Sequence, residues 1–124
     1  MSLRTEYDFT LPKGFVDGSG TLHKKGVMRL ATARDEIEPL RDKRVLENEA
    51  YLTVIILARV VTQLGTLGQV STKTIEDLFA ADLAYLQDLY GIINFGDPEV
   101  LKSLDEGVPF AEARIEEVPA AAAS

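Results

Sequence analysis

Two long apolar stretches, residues 49–64 and 71–94, limit what this chain can fold into more than any other feature. The first is apolar around most of a helical circumference, broken after Glu49 only by Thr53, Arg59, Thr62 and Gln63. A helix of that kind must be covered on more than one side. The second places Ile75, Leu78, Phe79, Leu86, Leu89, Tyr90 and Ile93 at three- and four-residue steps, the stripe of an amphipathic helix. Gly65 is the expected stop of the first, and the connector to Ser71 is short. The two helices are therefore expected to pack antiparallel. Neither carries a recognisable catalytic constellation.

The residues before them read as strands. Glu6-Tyr7-Asp8-Phe9-Thr10-Leu11 alternates polar and apolar, and Pro12 is expected to end that strand. Asp17-Gly18-Ser19-Gly20 is a turn between Phe15-Val16 and Thr21-Leu22, which predicts a hairpin. Gly26-Val27-Met28-Arg29-Leu30 then completes a small antiparallel sheet over residues 6–30, which needs a helix to pack on. Thr32 with Asp35 resembles a capping box and opens a short helix over 33–38, before Pro39. Residues 39–48 read as a charged connector, with Asn48 as the next N-cap.

Gly96 is expected to stop the long helix, and Asp97-Pro98 to start a short one over 97–106. Residues 107–124 read as an acidic, alanine-rich disordered tail, and residues 1–5 as a flexible N-terminus. The expected fold class is α+β and mostly α. A small N-terminal antiparallel sheet packs on a helical hairpin, in a single domain over 6–96 with helices 33–38, 49–64 and 72–94.

With 124 residues and no cysteine, the chain supports one modest core and offers neither a disulfide framework nor a thiolate site. The net charge of −7 is uneven: residues 97–124 hold seven acids and two bases, a net −5. A near-neutral body with an acidic end lacks the clustered Lys and Arg that nucleic acid requires. The longest apolar run falls well short of the roughly 20 residues that span a bilayer. The start of the chain has no apolar leader, so a cytoplasmic location is expected.

His23 is the only histidine, beside Lys24 and Lys25 and next to a turn, and reads as an exposed loop residue. The Asp17 turn fails the EF-hand pattern, because Met28 stands where the closing Glu belongs. It also lacks the Gly-Lys-Ser/Thr of a phosphate loop, so it reads as structural. Asp82 falls within the apolar stripe, where an unpaired carboxylate is costly. An Arg59–Asp82 ion pair across the helical hairpin is the sharpest expectation, with Asp77 or Glu76 as other partners for Arg59. Tyr85, Ile92, Leu101 and Leu104 are candidate partner contacts, and surplus apolar surface leaves room for a homo-oligomer. No catalytic, cofactor-binding or metal residue is singled out.

Four strings carry a resemblance: Leu11-Pro12-Lys13-Gly14-Phe15-Val16-Asp17, Leu22-His23-Lys24-Lys25-Gly26-Val27-Met28-Arg29-Leu30-Ala31-Thr32-Ala33, Ala50-Tyr51-Leu52-Thr53-Val54-Ile55-Ile56-Leu57 and Leu78-Phe79-Ala80-Ala81-Asp82-Leu83-Ala84-Tyr85-Leu86-Gln87-Asp88-Leu89-Tyr90. Over about residues 6–95 the chain resembles the phage tail assembly protein family. That family is similar to the tail assembly chaperones of Mu-like and P2-like contractile phages, and also occurs in contractile injection system clusters. The resemblance implies a non-enzymatic assembly factor without a cofactor. It would bind the long, apolar, helix-rich tape-measure protein, or the tail-tube protein, until the tube forms. The alternative is a structural or adaptor subunit retained in the particle, at the baseplate or tube end.

Overall fold

A long β-hairpin forms the base of the molecule in this computed structural model, which describes residues 3–96. Strand β1, Glu6–Val16, pairs antiparallel with β2, Leu22–Arg29, and Tyr7, Phe9 and Leu11 alternate inward as their period-2 spacing requires. Pro12 does not end the strand. The register shifts between Thr10 and Phe15, and Gly14, at φ +99°, takes the bend there that an L side chain resists. The turn is held by Asp17, whose Oδ1 accepts the Ser19 and Thr21 N–H groups at 2.8 and 3.0 Å. Arg4 and Thr5, expected to be flexible, are engaged: the guanidinium of Arg4 lies 4.3 Å from the Tyr7 ring centre, and Thr5 accepts the Leu30 N–H.

The third strand comes from a stretch that reads as helix. Helix α3, Tyr51–Val60, ends four residues early, and Val61–Leu64 continues as β3 beside β2, giving the order β1-β2-β3. The run Val60-Val61-Thr62 explains the switch, since successive β-branched side chains favour extended backbone. Gly65 therefore follows a strand, with φ +54°, and a Cβ there would collide with the His23 ring.

The second apolar stretch is also divided. Helix α4, Thr72–Glu76, starts at Ser71, whose hydroxyl accepts the Thr74 N–H. Extended backbone at Phe79 separates it from α5, Ala80–Phe95. So β3 and α4 lie between the two long helices, in place of the single short loop expected. The 33–38 helix appears as α1, Ala33–Ile37, running into a 3-10 turn, Glu38–Arg41. The connector 39–48 holds a further helix, α2, Lys43–Glu47, capped by the Asp42 carboxylate on the Arg44 N–H. The core joins Phe9, Leu11 and Met28 of the sheet to Leu57, Val60, Leu64, Leu86 and Leu89. The fold is small α+β, an antiparallel sheet with several helices. The expected helix over 97–106 and tail over 107–124 lie outside the described residues.

Candidate functional site

The polar residues that the sequence singles out are each bound within the fold, but to other partners than expected. Asp82 is fully buried in the first turn of α5, where a negative charge complements the helix dipole. Its Oδ1 accepts the Lys13 N–H at 2.8 Å and its Oδ2 the Gly14 N–H at 2.9 Å. These are the N–H groups that the bend in β1 takes out of the strand ladder. The expected Arg59–Asp82 pair is thus corrected: Asp82 finds backbone donors.

Arg59 turns the other way, to α1. Its Nε donates to Asp35 Oδ1 at 3.0 Å and its Nη2 to Glu38 at 2.7 Å. Asp35 is buried and is also held by both terminal nitrogens of Arg29, at 2.7 and 2.9 Å. This paired geometry is among the stronger hydrogen-bond arrangements. Arg29, with help from the Thr32 N–H and Arg59, holds the Asp35 carboxyl well below the usual carboxylate range. Strand β2, α1 and α3 therefore meet at one carboxylate.

His23 is not an exposed loop residue. It lies buried in β2, roughly parallel to the Phe15 ring of the neighbouring strand. Its Nδ1 accepts the Thr66 N–H at 3.2 Å, so the ring proton sits on Nε2 and donates to Asp17 Oδ2 at 2.8 Å. That bond, before those from Ser19 and Thr21, holds the Asp17 carboxyl well below its ordinary range. The missed signal is Gly65, whose lack of a side chain leaves space for the ring.

Of the candidate partner contacts, Tyr85 is half-buried and packs edge-on against Phe9, with centroids 6.4 Å apart. Burial raises its phenol pKa, and the Thr10 backbone bonds its hydroxyl. Tyr85 thus helps hold α5 on β1. Ile92 is half-buried, and Leu101 and Leu104 lie outside the described residues. Eight large apolar side chains are more than half exposed among the described residues, Leu3, Val16, Leu22 and Phe95 among them, and Phe79, expected within the apolar stripe, is another of the eight. Phe79, Ile37, Leu40 and Leu46 are each more than half exposed, three of them on the segment between β2 and α3.

Comparison with family models, curated proteins and solved structures gave no match. Among the described residues, no group of three or more His, Asp or Glu side chains is placed to hold a metal ion, and no helix is long and apolar enough to cross a membrane. Every buried side-chain nitrogen and oxygen described has a hydrogen-bond partner. What this arrangement offers chemically is a rigid frame with apolar side chains presented on short helices.

Proposed function

We propose that this chain is a non-enzymatic assembly factor of a phage tail or contractile injection system, a chaperone for the tape-measure or tube protein. The observation that carries the reading is how the polar and apolar side chains are divided. Buried Asp35, Asp82 and His23 are spent on holding the fold together, while Ile37, Leu40, Leu46 and Phe79 face outward. A protein that works by contact needs such outward apolar anchors, and an apolar, helix-rich client supplies side chains to meet them. The resemblance of residues 6–95 to tail assembly proteins narrows the client to a tape-measure or tube protein. The acidic balance also suits a chaperone, because net charge opposes self-association.

Quantitative mass spectrometry of purified particles against the lysate that made them tests the reading. Abundance in the lysate with depletion from particles is the expected result. Retention at a fixed ratio to the tube protein would make the chain a structural or adaptor subunit instead.

A further inference from the structure

His23 is the only histidine of a chain without cysteine, and histidine is the side chain whose ordinary chemistry changes charge between about pH 5 and 8. Its neighbours fix the neutral ring in one tautomer. Nε2 gives its hydrogen to Asp17 Oδ2 at 2.8 Å, in the turn between β1 and β2. Nδ1 carries none and accepts the Thr66 N–H at 3.2 Å, just after β3. The Phe15 ring lies roughly parallel to the imidazole, and a Cβ at Gly65 would collide with Nδ1. One buried ring thus ties the β1–β2 turn to the segment that leaves β3.

A second proton can go only to Nδ1, where it would face the Thr66 N–H, donor against donor. The Nε2 side holds on to the charged ring. Asp17, kept well below its ordinary carboxyl range, stays ionised, and its bond to an imidazolium is the stronger, charge-assisted kind. Lys25, two residues on in β2 and on the same face of that strand, opposes the new charge. Lys24 lies on the opposite face, over Gly14, and β1 contributes Lys13 at its bend. Residues 61–70 contain no ionisable side chain, so nothing on the Thr66 side compensates the charge. The Thr66 contact is therefore the one that gives way.

The chain is built to move there. The Gly65 N–H stays on the Lys25 carbonyl at 2.7 Å, which keeps β3 on the sheet. Gly65 itself, at φ +54°, has the freest backbone between that anchor and Thr66. Residues 66–70 belong to no strand or helix, and their Leu67 and Val70 pack half-buried against the core until Ser71 caps α4. We propose that residues 66–70 are a strap that protonation of His23 at Nδ1 opens, uncovering Leu67 while the hairpin and β3 stay in place. The inference does not depend on the proposed function.

Two measurements on the full-length, 15N-labelled protein test it. Long-range proton–nitrogen correlation gives the state of each ring nitrogen, and amide spectra with hydrogen exchange follow Thr66 and Leu67. At about pH 8, Nδ1 should carry no hydrogen. As pH falls, the two amides should shift with the same midpoint as the ring nitrogens. Their exchange, corrected for the intrinsic rate at each pH, should quicken about threefold to tenfold, the equilibrium worth of one hydrogen bond. Amides of β1 and β2 should keep their protection. In His23→Gln, which cannot change charge, Thr66 should be equally protected at about pH 8 and about pH 5. A hydrogen on Nδ1 at high pH would overturn the proposal, as would a ring that charges without moving Thr66. So would a ring that charges only when the whole fold opens, or wild-type pH dependence of Thr66 in His23→Gln. The wild-type ring readings decide the matter even where the variant does not fold.

Discussion

Removing the Asp82 side chain leaves the Gly14 N–H buried without an acceptor, 68 residues away in sequence. Asp82→Ala should destabilise the protein by about 2–3 kcal/mol, the cost of orphaning a buried donor that had a charged partner. Asp82→Asn keeps one acceptor oxygen and should cost less; urea unfolding of both variants measures the difference. Asp35 makes a second prediction, through pH. Its pKa is depressed in the folded state, so the unfolded state takes up the proton first as pH falls. Its contribution is present above the unfolded value of about 3.9 and is lost as pH drops through the lower folded value. Urea midpoints should therefore fall below about pH 4, and Arg29→Met should flatten that slope by raising the folded pKa. An unchanged slope in Arg29→Met would show that other carboxylates govern acid unfolding. Asp82's need for a partner was legible in the sequence, because a carboxylate in an apolar stripe must be compensated. The partner was not, since a backbone N–H freed by a strand bend has no residue-type signature.

Among the elements, the hairpin, the Thr32–Asp35 start of α1 and the Ser71 start of α4 could be read directly, because each has a local chemical cause. The switch from α3 to β3 could not be read from periodicity. A stretch apolar on all sides satisfies helix and buried strand alike, and only Val60-Val61-Thr62 hints at the outcome. Short α2 was hidden for another reason: its Asp42 cap sits in a charge-rich run that resembles a connector. The elements should also differ in local stability. Tyr7, Phe9, Leu86 and Leu89 place β1 and α5 in the core, whereas five-residue α1 and α2 expose Ile37 and Leu46. Hydrogen exchange should show α2 amides opening locally while those of β1 and α5 exchange only with global unfolding. Protection of α2 equal to that of α5 would mean that the segment between β2 and α3 is part of the cooperative core.

For the whole molecule, the α+β class and the sheet-on-helix core follow from binary patterning, but the outward apolar face of residues 33–41 does not. The sequence shows which residues are apolar; which of them remain uncovered depends on how α1 is rotated by Asp35 and Glu38 on Arg59. That face, with Phe79 and Leu46, is what a client would meet under the proposed function. The most direct test of the proposed function is co-expression with a tape-measure protein of a contractile phage tail, reading the soluble fraction of that protein. The account predicts that the tape-measure protein is soluble and co-purifies with the chain, and that Ile37→Asp/Leu40→Asp returns it to the insoluble fraction. A tape-measure protein equally insoluble with and without the wild-type chain would contradict the chaperone reading.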